Sequence, residues 1–234
     1  MTNLVLRVLA PLTPADVTLK PATGRFGARY ISSRSAGAIA GHAALDAYAE
    51  HGEDCDAVYL ACFGDPGLMA LKELAPVPVL GMAEAACLQA ARDGKRFSIV
   101  TGGERWKPIL GEFVGSLGLS ASLAGIETVA PTGGDIARDP EGALALLAEA
   151  CRRTAQRDGA ETVILGGAGL AGLAERLQPM VDMPLVCSTS AGFLAVLDAA
   201  YDPPAKPFSG DLAQPDPVAS TGLSPALAKM IEHR

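Results

Sequence analysis

The stretch DAVYLACFGDPGLMALKELAPVPVLGMAEAA, residues 56–86, decides the fold, because it can be laid on ETVILGGAGLAGLAERLQPMVDMPLVCSTSA, residues 161–191. One residue is inserted in the second copy before the proline that leads its last strand. Each copy reads as a β-branched apolar strand, a Gly-containing turn, a short helix and a Pro-led strand, in that order. A βαβ unit repeated about a hundred residues apart predicts two similar halves built on parallel strands, with ligand chemistry at the strands' carboxyl ends.

The same grammar extends outward from both copies. Upstream, NLVLRVL near the N-terminus reads as a first strand, ADVTLKP as another, and the segment from about Ser35 to Glu50 as a helix. Between the copies come a helix through AEAACLQAARDG, the strand FSIVTG, a helix from about Arg105 to Leu117, a strand near GIETVA and a long helix from about Pro140 to Arg157. After MPLVC a helix runs to about Ala200. Five prolines (Pro203, Pro204, Pro207, Pro215, Pro217) then make an extended or looping stretch before a short helix from about Ser224. Such alternation predicts an α/β fold of two Rossmann-like lobes with parallel sheets and a shared cleft between them. The expected boundaries are 1–100 with 185–234 for the first lobe and 101–184 for the second, or one two-lobed domain over 1–234.

Composition narrows the function classes. A net charge of −7 with no run of Lys or Arg argues against a nucleic-acid partner. MTNLVLRVLAPLTP lacks the organisation of a signal peptide, and no apolar run is long enough for a membrane span, so the expected location is the cytoplasm. Five cysteines at 55, 62, 87, 151 and 187 form no C-x-x-C pair, which predicts free thiols and neither a disulfide framework nor a metal site.

Two strand tips carry the chemistry. Cys62 closes the strand AVYLAC and is followed by Phe63, Gly64, Asp65 and Pro66. With Asp65 as N-cap and Pro66 as first helical residue, the next helix would begin beside the thiol and favour its thiolate, while the charge of Asp65 opposes this. A sulfur that only packs is the alternative. Cys187 ends MPLVC ahead of Ser188, Thr189 and Ser190, any of which suits the cap of the following helix. Cys87 and Cys151 fall inside helices and read as core, and Cys55 lies at the far edge of its strand. The residues 166–172, GGAGLAG, contain a G-x-G-x-x-G, but the next strand ends in a thiol where a dinucleotide site needs an acid, so no cofactor is expected. Those glycines instead let backbone N–H groups approach a small anionic or carbonyl substrate. His42, His51 and His233 have no triad-like context.

ACFGDPGL closely resembles the hydantoin racemase family, a branch of the Asp/Glu racemase superfamily that also holds allantoin racemase, maleate isomerase and arylmalonate decarboxylase. PVLGMAEAA, FSIVTGGERWKPIL, VILGGAGLAGL, MPLVC and GARYISSR at 27–34 extend the resemblance from about residue 24 to residue 200. It implies a cofactor-independent racemase acting on a carbon acid next to a carbonyl, in which two cysteines on opposite faces of the carbon remove and return a proton. Cys62 matches the first cysteine. The second belongs in a Leu-Gly-Cys-Ala-Gly turn that here reads LGGAG, so Gly167 stands in its place. The family's Asn-Pro-Asn-Thr turn is matched by Ala10, Pro11, Leu12 and Thr13, and its paired threonines by Thr101 and Gly102. The resemblance therefore nominates Cys62 as catalytic, and Thr13, Phe63, Gly64, Thr101, Gly102, Gly167, Ala168 and Gly169 as substrate-binding, while Cys187, at a neighbouring strand end, is nominated as a substitute second catalytic thiol. Three readings follow: Cys187 replaces the missing thiol; Cys62 works alone as a one-base isomerase, a decarboxylase or a covalent catalyst; or the chain is a non-catalytic module for a small ligand. Family members form homo-oligomers, which is the expectation here.

Overall fold

The computed structural model describes residues 1–232, so His233 lies outside the described residues. Its central feature is a four-stranded sheet in the order β4-β3-β5-β6, made of β3 (Phe97–Gly102), β4 (Leu123–Val129), β5 (Thr162–Gly166) and β6 (Leu185–Cys187). All three strand pairings are parallel. Their register sets Thr101 beside Gly166 and Leu165 beside Cys187, which brings the carboxyl ends of β3, β5 and β6 to one edge of the sheet. Every residue of β3 and β5 is buried, as expected for strands covered on both faces.

The helices that cover this sheet follow local rules. The longest, α7 (Pro140–Asp158), starts where the Asp139 side chain accepts the Gly142 N–H at 3.0 Å, places Pro140 in its first turn, and stops at Gly159 with φ +66. It buries Ala143, Leu147, Ala150, Cys151 and Thr154, the spacing of one helical face. Ala143, Leu147, Ala150 and Cys151 join Val100, Val163, Leu165, Leu170 and Leu177 in one apolar cluster. Cutting a fully buried leucine such as Leu147 to alanine in such a cluster costs about 2–5 kcal/mol.

Contacts divide the chain into two compact units, Met1–Thr18, Ala61–Asp65 and Gly81–Leu194 in one, and Leu19–Leu60, Pro66–Leu80 and Ala195 onward in the other. The expected boundaries, 1–100 with 185–234 and 101–184, cut the chain at other places. The second unit holds a pair of short strands, β1 (Val58–Leu60) and β2 (Val79–Gly81, whose last residue belongs to the first unit), with α2 (Arg34–His51), α3 (Leu68–Leu74) and α10 (Pro225–Glu232). Its core gathers Tyr48, Leu68, Leu71, Ala75 and Val79. Arg25 ties the preceding loop to α2 through Asp46, at 2.6 and 2.9 Å, and the hydrogen bond from Arg25 holds the Asp46 carboxyl down at about 2, helped by one from Ser224.

The duplicated segment has the same local form twice. Gly67 (φ +84, ψ 7) starts α3, and Gly172 (φ +77, ψ 3) starts α8 (Leu173–Leu177). Both use the left-handed conformation that glycine tolerates best. After β2 and β6 the chain turns directly into α4 (Met82–Ala90) and α9 (Ser188–Tyr201).

Three expectations are corrected. NLVLRVL is not a strand: Thr2–Leu9 form helix α1, burying Val5 and Leu9 at a spacing of four, and a 3₁₀ turn continues through Leu12. A run of seven residues with apolar side chains at most positions satisfies either period, so tertiary contact decides. ADVTLKP forms neither strand nor helix. Helix α6 (Gly133–Arg138), within PTGGDIARDP, was not expected, although Thr132 and Asp135 cap it reciprocally.

Candidate functional site

All ten nominated site residues fall in the first unit. Strand β1 ends at Leu60 and is only half buried, so Cys62 does not close a buried strand as expected but sits two residues beyond it. There the Asp65 N–H donates to the Cys62 carbonyl at 2.9 Å, closing a tight turn whose third residue is Gly64 at φ +97. A positive φ at that position suits a type II turn and glycine. Two rings flank the turn. The Phe63 ring occupies the space above Gly166, where an added Cβ would stand 2.4 Å from Phe63 Cε1. The six-membered ring of Trp106, the first residue of α5 (Trp106–Ser116), occupies the space above Gly64, where an added Cβ would stand 2.8 Å from Cζ3. The sulfur-bearing turn and the β5 tip are thus in direct contact.

Asp65 does not cap the helix that follows it. Gly67 occupies that position and α3 begins at Leu68. The Asp65 carboxylate, 4% exposed and held at φ +44, instead accepts the N–H groups of Ala83 (2.9 Å) and Glu84 (2.7 Å), capping α4 from eighteen residues away. Gly81 must be small for this, since a Cβ there would stand 2.0 Å from Asp65 Oδ2. The consequence for the thiol reverses the expectation. Burial, and then the neighbouring Asp65 carboxylate, push Cys62 up to about 12, which at neutral pH favours the thiol over the thiolate.

At the tip of β5, Gly167 has φ +128 and ψ 141, a conformation that essentially only glycine adopts. The space beside its Cα is nevertheless open: an added Cβ would meet Leu170 at 3.6 Å and Thr101 Oγ1 at 3.8 Å. Two hydroxyls pin this tip. Thr101 donates to the Gly166 carbonyl at 2.7 Å, and the Gly167 N–H donates to Ser188 Oγ at 3.2 Å. Ser188 and Trp106 were not nominated, although each stands within a few residues of a strand's carboxyl end, the position that brings side chains to such an edge.

The other nominated residues are placed as follows. Gly102 and Gly169 both crowd the Pro131–Gly133 segment, where a Cβ on Gly102 would stand 2.6 Å from the Pro131 carbonyl oxygen and one on Gly169 2.1 Å from that of Gly133. Ala168 opens the 3₁₀ turn 168–170. Thr13 Oγ1 donates to the Leu9 carbonyl at 2.9 Å and so finishes α1, which packs against that turn. Cys187 is 8% exposed and belongs to the apolar cluster under the sheet. Among the described residues no group of three or more His, Cys, Asp or Glu side chains could hold a metal, and no helix is long and apolar enough to cross a membrane.

Comparison with known proteins bears on this arrangement. The family described as Asp/Glu/Hydantoin racemase matches residues 1–196. Hydantoin racemase of Pseudomonas sp. (strain NS671) is 36% identical over 140 residues, which cover 60% of this chain and 56% of that protein. The chain spans about 56–62% of the length of the three hydantoin racemases it matches. Allantoin racemase from Klebsiella pneumoniae superposes with a TM-score of 0.87 at 30% identity, covering 97% of this chain and 93% of that one. The allantoin racemase structure from Pseudomonas fluorescens shares the fold, with a TM-score of 0.90 at 24% identity and 94% of each chain covered.

Proposed function

From the chain's membership we propose its activity: it belongs to the Asp/Glu/hydantoin racemase family, and we propose that it is a racemase of hydantoin or allantoin type, using Cys62 in proton transfer at a carbon acid next to a carbonyl. The observation that carries this reading is the contact between the sulfur-bearing turn and the β5 tip, Phe63 against Gly166, at the carboxyl edge of a parallel sheet. A substrate there would meet a thiol on one side and a glycine turn on the other. A protonated Cys62 is set to deliver a proton to one face of a carbanion, and the opposite face needs a group that removes one. Cys187, at the end of the neighbouring strand β6, is the candidate for that role. The substrate is a small anionic or carbonyl-bearing molecule, and no cofactor enters the reaction.

A second reading, in which Cys62 is the sole thiol acid/base and water exchanges the other proton, draws on a specific observation. Cys187 is nearly inaccessible within an apolar cluster, and Gly167 carries no side chain. Incubating one enantiomer of a 5-substituted hydantoin with the protein in heavy water separates the two. Loss of optical activity with deuterium uptake is expected for a racemase, and deuterium uptake without inversion for a one-base catalyst. Neither signal is expected of a non-catalytic binding module. Cys62→Ser is expected to abolish both signals, and unchanged turnover in that variant removes Cys62 from the mechanism. Cys187→Ala is expected to stop inversion only under the first reading.

A further inference from the structure

Trp106 is the only tryptophan in the chain. Its six-membered ring lies against Gly64, two residues beyond Cys62, with three ring carbons within 4 Å of where a Cβ would stand. The backbone holds it there: the Gly103 N–H donates to the Val129 carbonyl at 2.8 Å and the Trp106 N–H to the Gly103 carbonyl at 3.3 Å, so the chain turns from the tip of β3 straight into α5. Packing does not close off Trp106 completely. Phe63, within the turn, is 5% exposed with its ring against Gly166, whereas Trp106 is only half-buried, with exposed Arg105 and Lys107 on either side. Aromatic residues make up 5% of the chain, and two of them lie at this turn. A large flat surface left partly open beside a candidate acid/base group is what an apolar or aromatic substituent on the reacting carbon can cover.

We infer that Trp106 is a specificity-determining wall of the site, favouring substrates whose reacting carbon bears a flat or bulky apolar group, a benzyl-type group above a methyl. The inference rests on the proposed placement of the reaction at Cys62 and adds to it the class of substituent. Carbon acids with small polar substituents would leave the exposed part of the ring in water and gain nothing from it.

The test compares 5-benzylhydantoin with 5-methylhydantoin in the wild type and in Trp106→Leu. Loss of the ring is expected to lower the ratio of kcat/KM for the benzyl substrate to that for the methyl substrate about tenfold or more. A ratio between substrates is insensitive to partial unfolding, because both are turned over by the same folded fraction. Equal losses on both, or none on either, overturn the inference and leave racemase activity standing. The second measurement is fluorescence of the wild type, which reports this one ring: 5-benzylhydantoin is expected to change the emission saturably. No change at concentrations that saturate turnover overturns the wall. If neither these hydantoins nor allantoin is turned over, the proposed activity fails, and the emission titration alone decides the wall, upheld by a saturable change and overturned by none.

Discussion

Replacing Asp65 tests the feature on which both the turn and the thiol depend. Its buried carboxylate receives two N–H groups at the start of α4, at 2.9 and 2.7 Å. A hydrogen bond to a charged group contributes about 1.5–3 kcal/mol, and loss of a helix cap costs about 0.5–2 kcal/mol. The two bonds share one acceptor group and are not additive, so Asp65→Ala is expected to destabilise the protein by about 2–4 kcal/mol, and Asp65→Asn, which keeps an acceptor, by about 1–2 kcal/mol. Urea unfolding measures this as a lower midpoint at unchanged slope. Asp65→Gly separates the two contributions of the residue: it loses the same bonds but relaxes a backbone held at φ +44, so it is expected to be less damaging than alanine. The second arm follows alkylation of Cys62 against pH, read on its peptide by mass spectrometry. Burial, the larger cause, remains in Asp65→Asn, while the smaller one, the like charge, is gone. The alkylation profile should therefore move down from about 12 without reaching the range of an ordinary exposed thiol. By linkage, whatever stability the neutral thiol supplies is fully present below the ordinary thiol range and is lost as pH climbs towards the folded value. A loss below about 0.5 kcal/mol in Asp65→Ala, the size of an ordinary surface substitution, refutes the capping argument. An unmoved alkylation profile in Asp65→Asn refutes the electrostatic one.

Other substitutions address the β5 tip and the second unit. Gly167→Ala and Gly167→Cys are expected to cost about the same, roughly 1–3 kcal/mol, because the strain lies in a backbone at φ +128 and not in the open space beside it. A thermal melt in which cysteine is far worse than alanine contradicts this. Gly166→Ala should separate the two tips, since its Cβ would stand 2.4 Å from the Phe63 ring, and is expected to lower both melting temperature and turnover. Turnover equal to wild type would show that the contact does not matter to the site. Arg25→Ala should lower stability at neutral pH and lose its effect in acid. Asp46 is held at about 2, so its contribution is present above the ordinary carboxylate range and lost as pH falls through about 2. Urea midpoints between pH 6 and 2 should fall less steeply in the variant, and parallel curves would discount the ion pair.

Much of the fold was legible because its signals are local. Caps and stops such as Ser33, Asp139 and Gly159 lie next to the helices they bound, and the observed ends of α2, α5, α7 and α9 fall within about two residues of those expected. Gly67 and Gly172 could be matched across the repeat since a left-handed cap demands the same residue in both places. The candidate site was only half legible. Cys62 and the glycines around residue 167 stand out in a motif, but a motif does not state what a side chain faces.

The amino-acid sequence by itself determined the alternation of strands and helices, the repeat, and the family to which residues 1–196 belong. Tertiary structure alone decided that Thr2–Leu9 coil into a helix, that Asp65 serves α4 and not its own neighbour, that burial and Asp65 push the Cys62 thiol up, and that the Phe63 ring meets Gly166 and the Trp106 ring meets Gly64. The physical reason is common to all four. Periodicity and capping act within a few residues, whereas burial, charge proximity and hydrogen-bond partners eighteen or a hundred positions away depend on where the folded chain brings those atoms together.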